Sequence, residues 1–272
     1  MDRVDKAVIL ARGLGTRMRK PDASAELDAE QMSVAGAGIK AMIPIRRPFL
    51  DYVLSSLADA GFSQVCLIIG PEHQLIRNYY SIQAPPKRIR IDFAVQEKPL
   101  GTADAVLAAN EFAGKDLFLV VNSDNYYPHV ALKDMRNLRR TGVALFDRDR
   151  LVAESNIPSD RVLKYAVAKI DRDHYLERIY EKPQEDTIRE LGFPIYVSMN
   201  CWIFSQSIFK ACLRIKPSAR GELELTDAVQ YAVDALNERY KALIFRRPVL
   251  DLSSRSDIAF VAERLRHVNP NP

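Results

Sequence analysis

The chain has 272 residues, of which 47% are hydrophobic and 27% charged, with a formal net charge of +4 and a pI near 8.9. That length suits one large α/β domain or two small ones, and the apolar share is enough to build a core without disulfides or metals. The basic excess is small and dispersed, which argues against a nucleic-acid partner and suits anionic small molecules.

Taken in chain order, MDRVDK leads into a short apolar run with no small-residue cleavage site, so no signal peptide is expected. AVILA at 7–11 reads as a buried strand. Pro48 opens the helix PFLDYVLSSLADA, with Phe49, Val53, Leu57 and Ala60 on one face and Gly61 as its stop. QVCLIIG at 64–70 is continuously apolar, as a strand buried on both faces should be. A helix over about 72–80, a strand at 88–95, a helix at 102–113 and a strand at 116–122 follow. Lys87, Arg88 and Arg90 read as a solvated strand edge.

Beyond about 142, GVALF, KYAVAKI, YLERIYE and PIYVSMNCWIF read as strands, with helices near 205–215, 222–238 and 256–267. Strands alternating with helices imply right-handed crossovers and a mostly parallel, Rossmann-like sheet with flanking helices, to which the second half adds a small mixed sheet. One domain over 1–272 with two lobes is expected, divided near 140, with a C-terminal helix in 256–272. No apolar run reaches the roughly 20 residues of a membrane span, so no membrane partner is expected. Cys66, Cys201 and Cys212 form no CxxC pair, and His73, His129, His174 and His267 have no metal-ligand spacing. Reduced thiols in a cytoplasmic protein are the expectation.

In parallel sheets, ligands sit beyond the carboxyl ends of the strands. The loop after the first strand, GLGTR at 13–17, lies there, as do Ser123 and Asp124 after the fourth. A Walker A loop is absent, and a dinucleotide fingerprint fails at Met18. What remains is a loop in which Gly13 and Gly15 let backbone N–H groups approach phosphate oxygens, Thr16 adds a hydroxyl and Arg17 can grip two oxygens.

At this point the chain resembles the sugar-1-phosphate nucleotidyltransferases, most of all the glucose-1-phosphate thymidylyltransferase and uridylyltransferase branch. The resemblance runs from Ala7 to about Leu265 through LARGLGTRM, KAMIPI with RPFLDYVL, QEKPLGTADAV, NSDNYYP, YEKP, ARGELELTDAVQYAV and LDLSSRSDI. It implies attack of a sugar 1-phosphate, glucose 1-phosphate first, on the α-phosphorus of UTP or dTTP, giving an NDP-sugar and pyrophosphate with Mg²⁺. A phosphate nucleophile is already ionised at neutral pH, so positioning and charge neutralisation are the main tasks.

The same resemblance assigns the residues. Ala11, Gly13, Gly15, Thr16, Gln96, Gly101 and Thr102 would hold the nucleotide, with Thr102 also read as a helix N-cap. Arg17, Lys40 and Lys182 would carry the catalytic charges. Glu181, Lys182, Asn200 and Arg220 would hold the sugar phosphate, and Asp124 and Asp251 the metal. It also allows a homo-oligomer, and leaves no room for a fused C-terminal β-helical acyltransferase.

Several positions depart from the pattern. Arg12 stands where glycine or alanine is usual, and would either contact phosphate or point to solvent. Ala41 replaces a proline and Ala166 a glycine, while Cys201 and Trp202 are expected to touch the sugar pocket. The long segment 21–38 is either a surface helix with a Gly-Ala-Gly turn or a mobile flap over the nucleotide. Alternatives to the leading reading are an amino-sugar phosphate or phosphocholine as acceptor, or a catalytically silent regulatory subunit that binds sugar nucleotides.

Overall fold

The computed structural model describes residues 3–162 and 164–272. Its strands are β1 (Lys6–Leu10), β2 (Gln64–Ile69), β3 (Arg90–Val95), β4 (Phe118–Asn122), β5 (Asn125–Tyr126), β6 (Gly142–Asp147), β7 (Ala166–Ile170), β8 (Leu176–Tyr180), β9 (Tyr196–Phe204), β10 (Lys241–Phe245) and β11 (Leu250–Asp251). The main sheet runs β10-β6-β9-β4-β1-β2-β3. β1 is parallel to β2 and β4, β2 to β3, and β6 to β10. β9 is antiparallel to β4, β6 and β7, so one reversed strand sits inside an otherwise parallel array. β7 and β8 branch from that sheet through β9, and the small second sheet is the antiparallel pair β5–β11.

The central parallel strands β1, β2 and β4 are buried on both faces, as their aliphatic runs require, while the edge strand β3 is only partly covered. In β1, Ala7 and Ile9 point into one apolar cluster and Val8 into the other. β9 repeats this alternation, with Met199, Cys201 and Ile203 on one side and Trp202 and Phe204 on the other. Cys201 and Trp202 are therefore core residues, and neither lines the cavity described below. Ala166, also buried, turns its methyl into the second cluster.

Between β1 and β2 lie α1 (Thr16–Arg19), α2 (Ala29–Ala37) and α3 (Phe49–Ala60). α3 follows Pro48 and stops at Gly61, whose φ of 96° suits glycine alone. The segment 21–38 contains α2, started by a capping box in which Asp28 accepts from the Gln31 N–H and Gln31 accepts from the Asp28 N–H. The surface-helix reading thus describes it.

After β2, α4 (Gln74–Asn78) widens into a π turn at Tyr79–Gln83. This turn delivers two phenols to the buried Asp51 of α3. Tyr80 donates to Oδ1 at 2.9 Å, Tyr79 to Oδ2 at 3.3 Å, and Arg47 Nε lies 2.6 Å from Oδ2. The single helix expected over 102–113 is broken into α5 (Thr102–Leu107) and a turn of helix at Asn110–Ala113. Nine-residue helix His129–Asn137 after β5, and the short helices Arg148–Glu154, Ser159–Val162 and Glu185–Leu191, were not anticipated. Among the described residues no helix is long and apolar enough to cross a membrane.

Candidate functional site

β1 and β4 are paired neighbours with Leu10 opposite Asn122, so the loops that follow them leave the sheet side by side. They frame a cavity of about 390 Å³ at the carboxyl ends of β1, β3 and β4. Ala11, Gly13, Gly15, Thr16, Arg17, Lys40, Gln96, Gly101, Thr102, Asp124 and Asn200 all line it. Glu181, Lys182, Arg220 and Asp251 do not, and Glu222 enters in place of its neighbour Arg220.

The glycine loop is held by close backbone approach. Gly15 has φ +60, and a Cβ there would stand 2.1 Å from the Gly38 carbonyl oxygen. A Cβ on Gly38, φ +75, would meet the Leu14 carbonyl at 2.7 Å. The C-terminus of α2 therefore buttresses the loop. Gly101 has φ +119 and leaves 2.5 Å between an imagined Cβ and the Leu223 carbonyl oxygen. Gly101, not Thr102, is the N-cap residue of α5; the Thr102 hydroxyl instead accepts from the Leu225 N–H at 2.9 Å, tying α5 to the helix Leu225–Leu236.

Asp124 and Lys40 meet in the cavity, with Lys40 Nζ 2.7 Å from Asp124 Oδ2. Asp251 lies just beneath. The β5–β11 pairing sets it opposite Asn125, and Leu252 N donates to the Asp124 carbonyl at 2.8 Å. Its Oδ1 accepts from Asn125 Nδ2 at 2.9 Å and its Oδ2 from the Tyr165 hydroxyl at 2.8 Å, with Arg161 Nη2 at 3.5 Å. Burial and the Asp124 charge push the Asp251 carboxyl above the ordinary carboxylate range. Two adjacent carboxylates whose repulsion is still felt suit a hard divalent cation. Among the described residues no group of three or more His, Cys, Asp or Glu forms a cage, so phosphate oxygens and water would complete its shell.

Asn200 owes its place to an irregularity. The β6–β9 register shifts between Val143 and Leu145, and Asn200 takes φ +56, a left-handed conformation that asparagine tolerates. The bulge frees it from the ladder and turns it to the cavity, with Nδ2 3.5 Å from Asn122 Oδ1.

Glu181 and Lys182 stand in the turn after β8, where Lys182 has φ +44. Glu181 Oε2 accepts from the Thr226 hydroxyl at 3.1 Å, and its Oε1 lies 3.6 Å from Arg220 Nη2 and 4.0 Å from Lys182 Nζ. Burial and then the charge of Glu224 raise the Glu181 carboxyl above its usual range. Arg220 is drawn mainly to Glu224, at 2.6 Å.

Arg12 does not face solvent; it lines the cavity beside the glycine loop. It is 7% exposed, with Nη2 3.3 Å from the Glu97 carbonyl and 3.4 Å from Glu72 Oε1, while Nε and Nη1 have no partner among the described residues. No pattern in the sequence shows this, because Glu72 and Glu97 are 60 and 85 positions away and meet Arg12 only through the β1–β2–β3 order. The cysteines are buried and free; burial pushes the thiols of Cys66 and Cys212 up to about 12, which removes them as nucleophiles. His73 is buried and accepts from the Gly70 N–H at 3.2 Å.

The model of the nucleotidyl transferase family matches residues 6–247. The chain belongs to that family. It is similar to a glucose-1-phosphate thymidylyltransferase of Streptomyces griseus, at 28% identity over 85% of this chain and 58% of that protein. It is also similar to the bifunctional protein GlmU of Methanococcus maripaludis, at 28% identity over 84% of this chain and 47% of that one. This nucleotidyl transferase chain thus spans about half to three fifths of the length of these curated relatives. In fold it resembles a UDP-glucose pyrophosphorylase solved with UDP-glucose, with a TM-score of 0.75 at 19% identity, over 98% of this chain and 100% of that one.

Proposed function

We propose that this chain transfers a nucleotidyl group from UTP or dTTP to a sugar 1-phosphate, glucose 1-phosphate first, releasing pyrophosphate. The observation that carries the reading is a single cavity joining a glycine loop, the cations Arg17 and Lys40, the carboxylate of Asp124 and the amide of Gln96.

The N–H groups of residues 13–17 and the Arg17 guanidinium hold the β- and γ-phosphates, and Lys40 lies against the α- or β-phosphate. Gln96 and the flat backbone at Gly101 receive the base. Lys182, on the turn after β8, holds the phosphate of the sugar, while Glu181 and Asn200 accept and donate to sugar hydroxyls. A phosphate oxygen of the sugar 1-phosphate bonds to the α-phosphorus as the bond from that phosphorus to the bridging oxygen breaks, and pyrophosphate leaves with the electron pair. Arg17 and Lys40 neutralise the charge that gathers on the leaving group. Asp124 and Asp251 would hold Mg²⁺, which when bound supplies further neutralisation of the polyphosphate.

The test is pyrophosphate release with Mg²⁺ across five NTPs and a panel of sugar 1-phosphates. Turnover with UTP or dTTP and a hexose 1-phosphate is expected. Silence across the matrix, with NTP binding retained, would overturn the transfer reaction.

A further inference from the structure

Gln96 leaves the end of β3 and folds its side chain back onto the start of α5. Its Nε2 lies 3.0 Å from the Gly101 carbonyl oxygen and 2.8 Å from Asp104 Oδ2. Both partners accept only, so the nitrogen must face them and both of its N–H groups are used. The reverse orientation would press Oε1 against a carbonyl and a carboxylate, two repulsive contacts. Oε1 is then the polar atom that Gln96 has left for a ligand in the cavity it lines.

The frame that holds this amide is rigid. Gly101 is clamped against Leu223, whose N–H donates to Leu100 O at 2.7 Å and whose carbonyl accepts from Ala103 N at 2.9 Å. Asp104 sits on the first turn of α5, with its backbone fixed by the helix.

We propose that Asp104 is a positioning residue that makes Gln96 an obligate hydrogen-bond acceptor, so that the cavity selects bases carrying a ring N–H. Uracil, thymine and guanine carry one on their pairing edge. Cytosine and adenine present a ring nitrogen lone pair there, which would face Oε1 unpaired. This deepens the nucleotidyl-transfer reading and rests on it for the identity of the ligand. An acidic side chain is required at 104: asparagine could donate to Oε1, release the amide to turn over, and offer an N–H to the base instead.

The test is equilibrium binding of UTP, dTTP, GTP, CTP and ATP to the full chain with Mg²⁺ and without sugar phosphate. The wild type should bind the ring-N–H bases about 10- to 100-fold more tightly than CTP and ATP, the range set by leaving one acceptor unsatisfied. The arms with UTP, dTTP and GTP tell a pyrimidine from a purine. Asp104→Asn should narrow the UTP-to-CTP ratio by about tenfold. Asp104→Ala, which removes an acceptor without adding a donor, should weaken all NTPs and keep their order. Wild-type binding of CTP as tight as that of UTP would overturn the proposal and leave nucleotide binding standing. So would an Asp104→Asn protein that loses stability as Asp104→Ala does but keeps the wild-type order, since that is all a helix-terminus acid would do. Failure of every NTP to bind would overturn the transfer reading along with it.

Discussion

Asp124 holds its partner cation before any ligand arrives. Lys40 sits 2.7 Å from it, so in the proposed reaction the ammonium would be shared with, or yielded to, the phosphates and metal that replace it. Asp124→Asn leaves a similar shape and keeps a partner for the lysine through the amide oxygen, so the fold should stand. Turnover should fall by about 10²–10³, the scale of losing one preorganised electrostatic group, and the Mg²⁺ requirement should shift upward. Near-wild-type pyrophosphate release at low Mg²⁺ would dismiss the metal role. Glu181 is the residue whose titration is most exposed to measurement. Its folded-state pKa is raised by burial and by Glu224. Protonation is therefore favoured by folding: the associated stability is complete below the ordinary glutamate range and is lost as pH rises through the raised value. Glu181→Gln removes that loss. The variant should melt higher than the wild type at pH 7, and the gap should close as pH falls towards 4. An equal gap at both pH values would mean that burial and the Glu224 charge do not raise this carboxyl.

Among the elements, α2 contributes nothing to the cavity lining yet packs on the loop that does. α2 looks like a surface insertion, but its terminal Gly38 packs on Gly15 so closely that neither can carry a Cβ. Gly38→Ala should therefore weaken NTP binding about as much as Gly15→Ala, as read by titration of UTP, although Gly38 does not line the cavity. An unchanged UTP affinity in Gly38→Ala would show that the loop holds its shape without α2. Much of this level was legible in the sequence. The long apolar runs of β1 and β4 declare themselves, and the loops after them lie at the carboxyl edge of the sheet, which is why Gly13–Arg17 and Asp124 line one cavity; Gln96, after the less apolar β3, was placed by its motif. The misses have physical causes. β5 and β11 have two residues each, too few for any periodicity, yet they bring Asp251 beside Asp124. The bulge that turns Asn200 to the cavity depends on β6, more than fifty positions away in the chain. Arg12 was unreadable because its partners come from two other strand ends, and Thr102 reads as an N-cap until the partner of its hydroxyl, Leu225, is known.

At the scale of the whole molecule the question is whether the half of the sheet built on β1–β4 and the half built on β6 and β10 unfold together. β9 answers it structurally. Its residue Trp202 is opposite Val120 of β4 and also opposite Val143 of β6, so one strand is hydrogen-bonded into both halves. The two apolar clusters follow the sheet across the same boundary, each drawing on β1 or β4 and on β6 and β9. Separating the halves would strip β9 of one neighbour and expose the stack of Trp202 on Phe204, ring centroids 5.7 Å apart, with Tyr240 edge-on. A single cooperative transition is the expected outcome. The chain has one tryptophan, and it is this one, so its fluorescence reports the seam itself. Thermal melts followed by Trp202 emission and by far-ultraviolet ellipticity should superimpose. UTP with Mg²⁺ at about 100 times its Kd should raise both midpoints together, corresponding to about 2.7 kcal/mol of added stability. Two midpoints, with UTP moving only one of them, would show that the halves fold as separate units in spite of the strand they share.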